Sequence, residues 1–230
     1  MRADNLAPLT AGVWPGHAYF PDFHNPKTVE WWAKNFDRLY DTKTETQDDL
    51  LGLKFDGIWL DENEATNFCN GYCIESERPA DSYRNKPFYV PGWRDLEDQA
   101  LGVDGLHFDG VREYDVHNLY PLMQSKATAD YLLSKLNAAK NARPYVMTRS
   151  NFPGIGKYAH HWMGDNWSTL EYLSLSVDGV YSYNLYGMPF LGSDICGFNG
   201  DAPPDLCTRW HQLGSLYPFS RNHNQNGSAS

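Results

Sequence analysis

Four short apolar runs are separated by helix-patterned sequence, and a charged residue closes each run. Gly57-Ile58-Trp59-Leu60 stops at Asp61, and Pro144-Tyr145-Val146-Met147-Thr148 stops at Arg149. The run from Tyr158 to Met163 leads into Gly164-Asp165, and Met188-Pro189-Phe190-Leu191-Gly192-Ser193 stops at Asp194. Runs this short and this apolar read as strands buried on both faces. Asn25-Pro26 reads as a helix cap with proline in the first turn, and Val29, Trp32, Phe36 and Tyr40 follow at helical spacing. Helical patterning returns over 119–141, with Leu132, Leu133, Leu136 and Ala139 expected on one face, then over 168–186 and 204–216. Alternation of this kind predicts an α/β fold with parallel strands. Polar residues at the C-terminal ends of parallel strands mark the active-site face of a barrel. The rival, a doubly wound open sheet, needs a glycine-rich phosphate loop, and Gly154 and Gly156 are too sparse to form one.

Between the first run and the next helix lies a long polar stretch, 63–113, with turn signals such as Pro91-Gly92. Its length predicts a functional insertion above a site. The formal net charge of −10 argues against a nucleic-acid partner, since phosphates would be repelled. No apolar run reaches the roughly 20 residues that span a bilayer. Met1 opens no targeting signal, because MRADNLAPLT is neither basic nor followed by an apolar stretch. Eight Trp and fifteen Tyr provide flat faces compatible with sugar binding, although large aromatics also fill cores. The four cysteines form two close pairs, Cys69 with Cys73 and Cys196 with Cys207, and no tight cluster of four ligands predicts a metal. Two local disulfides, and hence an oxidising compartment, or buried free thiols both fit that spacing.

Glycosidic cleavage needs one carboxylate at the anomeric carbon and one carboxylic acid at the leaving oxygen. Asp61 and Asp165 supply such a pair if the fold brings their strand ends together; otherwise each is an ordinary strand-end or helix-cap aspartate. The segment Gly57-Ile58-Trp59-Leu60-Asp61-Glu62-Asn63-Glu64 resembles the nucleophile motif of glycoside hydrolase family 31. Further blocks resemble the same family: Arg143-Pro144, Thr148-Arg149-Ser150, His161-Trp162-Met163-Gly164-Asp165-Asn166 and Gly192-Ser193-Asp194-Ile195-Cys196-Gly197-Phe198. So do Trp14-Pro15-Gly16, Phe20-Pro21-Asp22-Phe23, Tyr114-Asp115-Val116-His117-Asn118-Leu119-Tyr120 and the block 218–224. Together they cover nearly the whole chain.

The resemblance implies a partial (β/α)8 TIM barrel over 1–224, holding the middle-to-late strands with a long insertion after the nucleophile strand, and a polar tail over 225–230. It implies a retaining α-glucosidase acting on maltose, oligosaccharides or starch ends by double displacement, with Asp61 as nucleophile and Asp165 as acid/base. Arg149, Asp194 and His223 would bind sugar hydroxyls, and Trp59, Trp162 and Phe198 would wall the pocket. Carboxylates and water complete that reaction, so no metal or cofactor is expected. His160 and His161, adjacent on a strand, should face opposite ways rather than share a metal. Glu62 stands where the family usually has Met, either facing away or meeting a hydroxyl at a +1 subsite. The family also implies the Cys69–Cys73 and Cys196–Cys207 disulfides and a secreted, lysosomal or vacuolar setting. Asn226-Gly227-Ser228 and Asn166-Trp167-Ser168 fit the glycosylation sequon, the second expected to be inaccessible beside the acid/base. Earlier barrel strands are expected from the rest of a longer parent polypeptide. α-Xylosidase, transglucosidase and α-glucan lyase chemistry, or a non-catalytic sugar-binding remnant, stay open as alternatives.

Overall fold

The computed structural model describes residues 7–40, 53, 55–79, 95–136 and 143–228; Pro91-Gly92, Ala139 and the last two residues of the tail lie outside them. The framework is a parallel sheet. β3 (Gly57–Leu60) pairs with β4 (Tyr145–Thr148), β4 with β5 (His160–Trp162), and β5 with β6 (Leu191–Gly192). The register sets Leu60 beside Thr148 and Trp162 beside Gly192, so these strands end at one level.

The fourth run was expected to be one strand through Asp194. It is two short pieces broken at Ser193, and the second, β7 (Asp194–Ile195), pairs with β8 (Arg221–Asn222) instead of β5. The cause is Asn166, whose side-chain amide donates to Ser193 Oγ at 2.6 Å and to the Asp194 carbonyl at 3.0 Å. That amide fills the place where β5 would have continued the ladder. β8 has only two residues, both polar, and no apolar alternation reveals it.

Helices cover the outside of the sheet. α1 (Pro26–Tyr40) begins where the Asn25 side chain accepts from Lys27 N, and it lays Val29, Trp32 and Phe36 inward. Trp32 Nε1 donates to Thr128 Oγ1 at 3.0 Å, and the Phe36 ring stacks on Tyr131. Both partners belong to α3 (Tyr120–Leu136), which packs under β3 and β4 with Leu132 buried. Leu133 is 40% exposed rather than on the same face, because consecutive helical residues point about 100° apart. α4 (Leu170–Leu185) is capped by the Thr169 side chain and connects β5 to β6. α5 (Pro204–Gly214) buries Leu206 and Trp210 against Ile195 of β7. No helix among the described residues is long and apolar enough to cross a membrane.

The insertion is tied down at both ends. A hairpin of β1 (Ala11–Val13) and β2 (Gly16–Ala18) meets it through Gly12 N to Asn67 Oδ1 and Phe68 N to the Gly12 carbonyl. The Cys69–Cys73 disulfide closes the loop beside this contact. Nearer α3, His107 sits between Asp22 at 2.7 Å and Glu113 at 2.9 Å, and Glu113 also holds His117 at 2.7 Å. The short helix α2 (Glu113–Val116) leads from this cluster into α3.

Candidate active site

The parallel register delivers Asp61, Arg149 and Asp165 from three adjacent strand ends to one face. Arg149 organises them. Its Nε and Nη2 are held by the two oxygens of Glu64, each at 2.8 Å, a bidentate pair that fixes the plane of the guanidinium. Nη2 also lies 3.0 Å from Glu62, while Nη1 faces Asp61 at 3.3 Å and Asp165 at 3.8 Å. One nitrogen therefore lies near both predicted catalytic carboxylates. The Glu64 hydrogen bonds and the Glu62 charge hold Arg149 ionised well above its ordinary range. Burial raises the Asp165 carboxyl, the charges of Asp61 and Glu62 add to that, and Arg149 opposes it.

The chain reverses sharply after β3. Glu62 and Ala65 both have φ of 53°, in the left-handed region that non-glycine residues rarely adopt. This turn brings Glu62 N to Asp61 Oδ1 at 2.8 Å and returns the Glu62 and Glu64 side chains to Arg149. Glu62 does not face away: its carboxylate accepts from Trp14 Nε1 at 2.8 Å. Asn63 is buried and bridges to Thr148 Oγ1 and Ser150 N, pinning the turn to β4.

A second cluster lies beside the first. Asp194 is fully buried; its Oδ1 accepts from Trp162 Nε1 at 3.2 Å and lies 3.6 Å from Arg221 Nη1. Among the described residues, Asp194 Oδ2 and Arg221 Nη1 have no hydrogen-bond partner. Burial pushes the Asp194 carboxyl up to about 7 against the opposing pull of Arg221. Trp59 and Trp162 pack at 4.9 Å, and the Arg221 guanidinium lies 4.5 Å above the Trp59 ring. Phe198 stacks on His223 at 5.2 Å. Burial, then the Arg221 charge, lowers His223 below the usual imidazole range. A cavity of about 380 Å³ adjoins Asp165 and is lined by Arg149, His161, Met163, Asn166 and Ser193 among others. Asp61 and Trp59 are not in its walls, so the surface facing both acids is the open strand-end face.

His160 and His161 do point opposite ways. His160 lies between Tyr145 and Phe190, while buried His161 approaches the Thr148 carbonyl at 3.2 Å and is held neutral, its pKa lowered by burial to about 4. Both cysteine pairs are disulfides. Among the described residues, the metal-ligand-like group is Cys196, Cys207 and His211, and its two sulfurs are already bonded to each other. The sequons separate as expected: Asn166 is buried with its amide engaged, whereas Asn226 is exposed on a turn. Glu64, Arg221 and Trp14 lie inside the motif blocks with no role that the sequence assigns. Glu64 holds Arg149, Arg221 faces Asp194, and Trp14 reaches Glu62 from the hairpin.

The model of the glycosyl hydrolases family 31 TIM-barrel domain matches residues 2–230. The chain belongs to glycosyl hydrolase family 31. This family 31 chain is 40% identical to rat (Rattus norvegicus) lysosomal alpha-glucosidase, over 94% of its own length and 21% of that protein. It is 37% identical to alpha-xylosidase 1 of Arabidopsis thaliana, over 94% of its length and 25% of that protein. Among solved structures, the glucosidase II alpha subunit in its Glc1Man2-bound form superposes with a TM-score of 0.75 and 29% identity, covering all of this chain and 21% of that one. The chain thus spans a quarter or less of the length of these relatives, and its parallel sheet is part of the family's barrel.

Proposed function

We infer that this chain supplies the acid-bearing part of the active site of a retaining α-glycosidase that removes terminal α-linked glucose from maltose, oligosaccharides or starch ends. The observation that carries this reading is the approach of Asp61 and Asp165 to the same nitrogen of Arg149. Retaining enzymes need their carboxyl groups about 5–5.5 Å apart, and a pair sharing one guanidinium nitrogen suits that requirement.

In the proposed reaction, an Asp61 oxygen attacks the anomeric carbon and forms a β-glycosyl ester, while Asp165 gives its proton to the departing oxygen. Asp165, now ionised, takes a proton from water; the water oxygen attacks the same carbon and releases Asp61. The raised Asp165 carboxyl suits the acid role. Arg149, Asp194 and His223 would hold sugar hydroxyls, with Arg221 beside Asp194. Trp59, Trp162 and Phe198 would wall the sugar. Residues 1–224 would act as one part of the barrel, 225–230 as a tail, within a longer polypeptide. The two disulfides favour an oxidising compartment such as the lysosome, vacuole or exterior.

Incubating the full polypeptide with a 5-fluoro glycosyl fluoride should trap the ester on the peptide containing Asp61, located by mass spectrometry. A label on any other residue defeats the assignment. Similarity to an alpha-xylosidase keeps a second reading in view. Turnover of α-xyloside in preference to α-glucoside would select it.

A further inference from the structure

Arg149 is engaged by the glutamate that directly follows Asp61. Nε and Nη2 of the guanidinium donate to Glu64, and Nη2 also lies 3.0 Å from Glu62 as an ion pair. Nη1 faces the catalytic carboxylates, and it stands nearer Asp61 than Asp165. At 3.8 Å the Asp165 contact is too long for a hydrogen bond. The same Glu62 oxygen, Oε2, that meets Arg149 also accepts from Trp14 Nε1, and the Glu62 backbone N–H donates to Asp61.

We propose that Glu62 is a positioning residue for the acid/base step: anchored by Trp14, it engages Arg149 from behind, offsets its charge, and leaves Asp165 as a proton donor. This rests on the reading of Asp165 as the acid. The charged and titratable groups around Asp165 come from four strand ends. They are Asp61, Glu62 and Glu64 after β3, Arg149 after β4, Asp194 in β7, and Arg221 and His223 in and after β8. Of the acids, Asp61 and then Glu62 weigh most on Asp165, both against its ionisation. Removing the Glu62 charge takes away one repulsion and frees more of the Arg149 charge, and both effects favour ionised Asp165. Turnover should then fail at lower pH than in the wild type.

The test uses the full polypeptide carrying Glu62→Gln, which keeps the shape and an oxygen for Trp14, and Glu62→Met, which keeps neither charge nor acceptor. The pH profile of kcat/KM on maltose is measured for both, with 5-fluoro glycosyl fluoride labelling of Asp61 in parallel. We expect the alkaline limb of each variant to move toward acid by roughly half a pH unit, the size expected for one partly screened charge. An alkaline limb that stays in place in Glu62→Gln, while Asp61 still takes the label, overturns the role of Glu62 and leaves the reaction intact. Loss of both labelling and turnover at every pH also overturns it, because Glu62 would then be holding the fold. Wild-type protein that takes no label at Asp61 sinks the hydrolase reading instead, and this inference with it.

Discussion

Asp194 combines complete burial, a raised carboxyl and an oxygen with no partner among the described residues, a costly state for an ionised group. Its unfolded pKa is near 3.8 and its folded value about 7. A carboxyl raised in the folded state holds its proton more tightly there, so stability is full below about 3.8 and is lost as pH rises through about 7. Asp194→Asn keeps an oxygen for Trp162 Nε1 and removes that ionisation. The variant should gain little in thermal midpoint at pH 4 and progressively more up to pH 7, read by calorimetry across that range. A gain independent of pH would contradict the assignment. The two catalytic candidates separate by leaving group. Asp165→Asn should lower kcat/KM about 10²- to 10⁴-fold on maltose, whose leaving oxygen needs a proton. An aryl glycoside with an acidic leaving group should lose far less, whereas Asp61→Asn should abolish turnover of both.

Among the elements, the insertion meets the segment leading into α1 through charge as well as through the apolar cluster that joins Tyr72 and Leu101 to Phe23. Buried His107 would be neutral on burial alone, but its hydrogen bonds to Asp22 and Glu113 outweigh that and raise it to about 9. Burial would raise Asp22, yet the His107 bond and charge, with the Phe108 N–H, hold it at about 2. His107 therefore contributes stability fully below about 6.5, lost as pH rises through about 9. Asp22 contributes above about 3.8, lost as pH falls through about 2. His107→Leu leaves two buried carboxylates without their shared cation, a change worth about 3–5 kcal/mol. Urea unfolding at pH 6 should show that loss, and the gap between variant and wild type should narrow toward pH 9. None of this was legible in the sequence. Asp22 lies in a motif block and His107 in the insertion, and only the path of the insertion brings them together. The same applies to Glu62 and Glu64, whose return to Arg149 depends on left-handed backbone at Glu62 and Ala65. Local signals carry three of the four apolar strands and the Asn25 cap, whereas the fourth run breaks at Ser193. The hairpin Ala11–Ala18 and β8 escaped because strands of two or three residues have too few positions to display alternation.

At the scale of the molecule, the strand-end face is fully furnished while the sheet beneath it stays open. Among the described residues, β3 pairs on one side only, with β4, and β8 on one side only, with β7. Both catalytic candidates stand at the ends of adjacent or near-adjacent strands, and Asp61 belongs to the open edge itself. Trp59 on that edge is 36% exposed although it packs on Trp162. A closed barrel abolishes such edges and walls the sugar from every side. Here the sugar would be held from the β3 to β8 side alone, and water would reach the ester from the other. Proximity and exclusion of water each carry a large share of glycosidase rate enhancement, and misplacement by about 1 Å can cost 10²-fold. The 230-residue chain, assayed by itself, should therefore hydrolyse p-nitrophenyl α-glucoside negligibly beside a polypeptide in which further strands flank β3 and β8. Robust turnover by the purified 230-residue chain would show that the six strand ends around Arg149 are sufficient, and that the rest of the barrel serves stability rather than chemistry.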